Sequence, residues 1–281
     1  MTADRRAVVL ALAGAGLPGP ARANRFEALF APRARLWSRW AAHDPGATLQ
    51  VDHAAWDGLL RRHRRAGADG IARFAYRALA ADGRAVLDGY LAMAQAVPVS
   101  RLPRDGQFAY WVNLYNALTV RVVLDAWPVR SIRDIDLGGS LLIGGPWDAP
   151  LLRIEGEAVS LNAIEHRILR PIWRDPRIHY VVNCASLGCP DLPERALTPA
   201  NAALLMAQGA RGYVNHPRGV TPGRRGLAVS SLFAWFAADF GGWDGVVPHL
   251  LEHAAPPLAA AIRAVPFLDG FAYDWALNDA A

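Results

Sequence analysis

The spacing of apolar and polar positions divides the chain into alternating helices and short strands. The strongest segment is 103–127. There Phe108, Tyr110, Trp111, Val112, Leu114, Leu118, Val120, Val122 and Leu124 surround most of a helix circumference, between Pro103 and Pro128. A helix apolar nearly all round belongs at the centre of a fold. Asn113 and Asn116 lie three apart on that helix, so they share a face in or near the core. A buried amide must be hydrogen-bonded, so these two either brace a loop or line a polar pocket.

Around this helix the same periodicity predicts others at 24–44, 51–65, 78–96, 160–170, 198–212, 231–239 and 243–254. Within 24–44, Pro32 interrupts a set that includes Phe26, Trp37 and Trp40. Short strands are expected at 71–76, 141–143 and 151–154, and a hairpin over 213–230 with Pro217-Arg218-Gly219 and Pro222-Gly223 as turn signals. Residues 180–182 read as the end of a buried strand, and alternation then places His179, Val181 and Asn183 on one face. Ser160 or Asn162 caps the helix running to about 170, and Asn162 with Glu165 three positions on has the local form of a capping box. The aromatic tail, 265–279, is expected to pack back onto the core. The elements amount to a helix-rich α+β fold with a small mixed or antiparallel sheet. Residues 24–281 form one globular domain, with 24–96 as a candidate helical subdomain.

Composition narrows this picture. At 53% hydrophobic and 20% charged residues, 281 residues suffice for a sizeable core. All 30 basic residues are arginine, which excludes lysine-based chemistry such as a Schiff base or a phosphate-loop lysine. The formal charge of +5 is mild for this length, and the cluster Arg61, Arg62, Arg64, Arg65 reads as a solvated helix end; no nucleic-acid partner is expected. The glycines at 138–145 do not form a dinucleotide or phosphate-binding loop. Residues 1–23 read as an export signal: Arg5-Arg6, a mild apolar run, then Ala21-Arg22-Ala23, with the paired arginines of a twin-arginine leader. That predicts a periplasmic or secreted protein. No later segment has the apolar length for stable membrane insertion.

The candidate chemistry gathers at 179–192, His-Tyr-Val-Val-Asn-Cys-Ala-Ser-Leu-Gly-Cys-Pro-Asp-Leu, where both cysteines of the chain fall in one turn. Three arrangements of these residues differ in function. Cys184 and Cys189 joined as a disulfide would stiffen the turn by roughly 2 kcal/mol through loop closure, leaving a binding cleft above it. A free Cys184 or Cys189 would be a nucleophile, with His166 or His179 as base, Glu165 or an asparagine as orienter, and amides of the 186–189 turn facing an oxyanion. The same cysteines with His166 and His179 would supply a Cys2His2 metal set, though their spacing follows no standard finger.

Four segments carry a resemblance. Residues 108–119 (FAYWVNLYNALT), 161–169 (LNAIEHRIL), 175–192 (DPRIHYVVNCASLGCPDL) and 273–279 (YDWALND) resemble, in order and separation, the hallmarks of the domain of unknown function 547 family. The resemblance spans about residues 50–279 and implies an exported bacterial member. It directs attention to Asn113, Asn116, Glu165, His166, His179, Cys184 and Cys189 and implies no settled substrate or reaction. The resulting expectation is an exported binding or accessory protein with a polar cleft beside the cysteine turn, a small-molecule or peptide ligand and no cofactor. Asn113, Asn116 and Asn183 would line or brace that cleft. The alternatives are a thiol-dependent hydrolase or acyltransferase acting on a peptide, amide or acyl group, and the Cys2His2 metal site. No oligomeric state follows from the sequence.

Overall fold

A computed structural model describes residues 31–138 and 144–280. The expected leader, residues 24–30 and the strand expected at 141–143 lie outside the described residues.

The central helix is α4 (Arg104–Asp125), preceded by α1 (Ala54–His63), α2 (Tyr76–Asp82) and α3 (Arg84–Ala96). Residues 107–120 of α4 are all buried, as an apolar surface nearly all round requires. Pro103 stands at its N-cap, where a missing N–H costs nothing. Helix α3 and the segment around Glu165 pack against α4. The helix expected over 78–96 is broken at Gly83, which leaves the helical conformation with φ at −122° and stands between the two pieces. The helix expected over 24–44 is not formed where it is described. Residues 31–50 are irregular apart from a 3-10 turn, Ser38–Ala41, and Trp40 is buried against Trp111.

Among the described residues the strands are short and lie in three sheets. β1 (Arg64–Ala66) pairs antiparallel with β2 (Ala72–Phe74), so Arg64 and Arg65 belong to a strand and not to a helix end. β3 (Leu152–Ile154) and β4 (Glu157–Val159) form a hairpin whose two turn residues, Glu155 and Gly156, both have positive φ, as a two-residue turn matched to strand twist requires. β5 (Val220–Pro222) pairs antiparallel with β6 (Leu227–Ser230), and β6 pairs parallel with β7 (Leu268–Ala272). The whole is a single helix-rich domain with small antiparallel and mixed sheets, as expected.

The remaining helices are α5 (Arg170–Trp173), α6 (Ala202–Val214), α7 (Ser231–Trp235), α8 (Trp243–His253) and α9 (Pro256–Ala264). Among the described residues the buried apolar side chains form two clusters. One surrounds α4; the other gathers Tyr180, Tyr213, Phe233, Phe240, Leu250 and Phe271. Among the described residues no helix is long and apolar enough to cross a membrane.

Candidate active-site cleft

Residues 178–184 form no strand. Pro176–Tyr180 is a 3-10 helix started by the Asp175 carboxylate, which accepts from the Arg177 N–H. The apolar run is buried on every side, so it carried no alternation to distinguish a strand from a tight helix. The shared face expected for His179, Val181 and Asn183 therefore does not exist. Each residue goes to a different place.

The cysteine turn is held by amides. The Asn116 side chain donates to the Val181 carbonyl at 2.8 Å and accepts from the Asn183 N–H at 2.9 Å. Asn183 donates to the Pro190 carbonyl and accepts from the Ala185 N–H, closing the turn on itself. Asn113 does the same for a neighbouring segment, donating to and accepting from Leu197. All three asparagines brace loops, and none lines the cleft. The tail supplies the outer support: Leu187 N–H donates to Ala276, Gly188 N–H to Asp274, and Asn278 N–H to Ala185. Gly188 is required because a Cβ would stand 2.7 Å from the Asp274 nitrogen. Ala185 follows Cys184 with φ at +61°, a left-handed conformation costly for a residue with a side chain. Strain of that kind persists only where the surroundings impose it.

Both cysteines are free thiols, so the expected Cys184–Cys189 disulfide is not made. Cys184 is half-buried and Cys189 buried. The Cys184 N–H donates to Cys189 Sγ at 3.1 Å. The Ser186 and Tyr273 hydroxyls stand 3.2 and 3.1 Å from Cys184 Sγ and 3.0 Å from each other. Hydrogen bonding from the Cys189 thiol, then from these two hydroxyls, outweighs burial and lowers the Cys184 pKa. Burial pushes Cys189 far the other way. One thiol is thus prepared to ionise and its neighbour to stay protonated. Burial also raises Tyr273, which keeps its hydroxyl a donor.

A charged cluster lies in the same cleft. Residues 163–169 form a π-helical segment, Ala163–Leu169, running into α5. The capping box expected at Asn162 and Glu165 is not formed. The Ser160 hydroxyl takes the Ala163 N–H, Asn162 bonds Asp148, and Glu165 turns inward. His179 lies between two carboxylates, with Nε2 2.7 Å from Asp239 and Nδ1 3.6 Å from Glu165, and its ring stacks on Phe236 at 4.5 Å. Arg170 donates to Asp239, to the Pro32 carbonyl and to His166 Nδ1. Arginine has only donors, so His166 Nδ1 must accept and its proton sits on Nε2. Burial lowers the His166 pKa to about 4, leaving that ring neutral at pH 7. Burial alone would raise Glu165, but His166, His179 and Arg170 overcome it and hold the carboxyl at about 2. Asp239 is likewise held below the usual carboxylate range, its burial outweighed by the bonds from His179 and Arg170.

These groups line one cavity of about 460 Å³, which contains Cys184, Cys189, Glu165, His166 and His179 together with Tyr115, Trp147, Trp235, Tyr273 and Trp275. The sequence therefore selected five residues that share a cleft. Two expected contacts are missing. Among the described residues the hydroxyls around Cys184 Sγ come from Ser186 and Tyr273, and no imidazole is hydrogen-bonded to it. Three of the four 186–189 amides are taken up and cannot face an oxyanion, because Leu187, Gly188 and Cys189 donate to Ala276, Asp274 and Ser186. The Cys2His2 set is not assembled either. Among the described residues the grouping of ligating side chains is His249, Glu252 and His253, on α8.

Sequence reading missed Tyr115 and Trp235 on the cleft wall, Arg170 and Asp239 behind its two histidines, and the α8 cluster. Asp239 and Arg170 carry no local signal, and only the fold brings Asp239 to His179 and Arg170 to His166. The α8 cluster did carry a signal, two histidines four apart in a helix.

No curated protein and no solved structure matches the chain. Residues 99–214, from the turn before α4 to the end of α6, match the model of the family described as protein of unknown function, DUF547, a stretch that holds Asn113, Asn116, Glu165, His166, His179, Cys184 and Cys189 and stops short of Asp239 and Tyr273.

Proposed function

We propose that the cleft carries out thiol chemistry, with Cys184 as the nucleophile of a hydrolase or acyltransferase acting on a peptide, amide or acyl group. The observation that carries this reading is the state of Cys184: free, strained at the following residue, and lowered in pKa by donors from Cys189, Ser186 and Tyr273. In the proposed reaction Sγ attacks the carbonyl carbon, and the bond to the amine or alcohol breaks as that group takes a proton. His179, flanked by the Asp239 and Glu165 carboxylates, is placed to relay that proton from solvent, whereas neutral His166 has one proton, on Nε2, and orients the group by hydrogen bonding without giving it up. Water then cleaves the thioester, or a second nucleophile accepts the acyl group. The thiolate is stabilised here by hydroxyl and thiol donors in place of a directly bonded imidazole, which separates the nucleophile from the proton donor.

The aromatic walls favour a second reading, a binding cleft without turnover, since Trp147, Trp235, Tyr273 and Trp275 form a continuous ring-on-ring surface. Activated esters and peptide amides, assayed with mass detection of an acyl adduct, separate the two. The proposal predicts an adduct on Cys184 and loss of turnover in C184A. A ligand that binds C184A unchanged, with no adduct on the parent protein, supports binding alone. The leader-like residues 5–23 support export of a bacterial family member to the periplasm or beyond. In that oxidising setting closure of Cys184 onto Cys189 would switch the nucleophile off.

A further inference from the structure

A second cluster of ligating side chains lies on α8, outside the cleft. His249, Glu252 and His253 follow the order His-x-x-Glu-His, and helical spacing puts all three on one side. Each offers a donor atom, and those atoms lie within 4.8 Å of one another. The same order on a helix supplies two imidazole ligands in one class of zinc enzymes. Two further observations make this more than a coincidence of spacing. His253 Nε2 is buried with no hydrogen-bond partner among the described residues, and its residue is 8% exposed. A buried nitrogen left unpaired is destabilising unless something occupies it. His249 is orientated from behind: its Nε2 meets the Tyr180 hydroxyl at 2.8 Å, and the two rings stack in nearly parallel planes, 3° apart. With Nε2 engaged, Nδ1 is the nitrogen left for a ligand, the arrangement in which an outer partner fixes the tautomer of a metal-binding histidine.

We propose that His249, Glu252 and His253 bind a first-row divalent cation, with zinc the best match to two imidazoles and one carboxylate. Donors about 2.1 Å from a tetrahedral ion are about 3.4 Å apart, so the cluster must contract slightly. Glu252 can do this, because its side chain is 69% exposed and stands 3.9 Å from His253 Nε2. The surrounding charge permits it. Arg177 and Arg211 oppose a cation near His253, whereas Asp175 favours one and is bonded to Arg177 at 2.6 Å. Burial lowers His249 to about 4 and also lowers His253, so both rings are neutral ligands at pH 7 and no proton need leave them. The ion would tie α8 to Tyr180, the residue after His179, and so stiffen the wall that carries the charged cluster.

The test is a calorimetric titration of chelator-treated protein with zinc chloride, in a C184S/C189S background so that thiols cannot bind the ion. One ion per chain is expected, with a melting temperature raised by zinc. In E252Q the affinity should fall at least about tenfold, and in H253Q further. Glu252 is exposed, so E252Q will fold even if H253Q does not. Absence of binding to the folded parent overturns the proposal. So does binding that E252Q leaves unchanged, since the ion would then sit elsewhere. Either result leaves the thiol reading of Cys184 untouched.

Discussion

Replacing Asn116 by alanine isolates what holds the cysteine turn. The native side chain makes two hydrogen bonds across the core, one to the Val181 carbonyl and one from the Asn183 N–H. Asn116 is 2% exposed, Val181 fully buried and Asn183 4% exposed, so water cannot substitute. Truncation leaves one buried acceptor and one buried donor unpaired, each costing about 1–3 kcal/mol, and opens a small cavity besides. The sum is a loss of roughly 2–6 kcal/mol, a large part of the stability of a typical domain. Urea denaturation followed by circular dichroism should show a lower midpoint with an unchanged slope. The turn should loosen as well, so Cys184 alkylation in N116A should lose its low-pH reactivity. As a control, N162A removes a bond to Asp148 at the cleft rim and should change stability by less than about 0.5 kcal/mol. If N116A also falls within about 0.5 kcal/mol of the parent, the claim that buried amides set the site is refuted.

Three further outcomes are expected. Glu165 is held at about 2 in the folded chain against an ordinary 4.5, so it contributes on the order of 3 kcal/mol that is present above pH 4.5 and lost as pH falls toward 2; acid denaturation of E165Q should lack that component. His53, His166 and His249 are each lowered by burial to about 4, so the unfolded chain takes up protons first as pH drops below 6.5. Stability should therefore fall by roughly 2 kcal/mol per histidine between pH 7 and 5, and a denaturation midpoint equal at both values contradicts it. Arg174 ends α5 with φ at +53°, so R174G should raise stability by roughly 1 kcal/mol, whereas no gain in midpoint would mean its side chain compensates.

The sequence made some of this legible and hid the rest for definite reasons. Helix α4 was readable because its apolar surface runs nearly all round and prolines bound it. Cys184, Cys189, Glu165, His166 and His179 were readable as a group because the chemistry-bearing residues are few and sit in recognisable segments. The strand expected at 180–182 failed because a segment buried on all sides has no periodic signal, and Asp175 and Pro176 begin a tight helix instead. The capping box failed because Ser160 took the cap and freed Glu165 for the interior. Asp239 and Tyr273 are 60 and 89 residues from His179 and Cys184. Contacts over such separations depend on how the second apolar cluster packs, which local pattern does not encode.

The central claim is that Cys184 is a stabilised thiolate facing the cleft, and the rate of its alkylation as a function of pH tests it most directly. Protein prepared without reductant would be treated with iodoacetamide and the labelled peptides mapped by mass spectrometry. The account predicts labelling of Cys184 with a midpoint clearly below about 8.5, the value of an ordinary free thiol, while Cys189 stays unlabelled until the chain unfolds. A further variant, Y273F, should move that midpoint upward by removing one donor to Sγ. Cysteines that resist labelling until reductant is added, or a Cys184 midpoint at or above about 8.5, would contradict it.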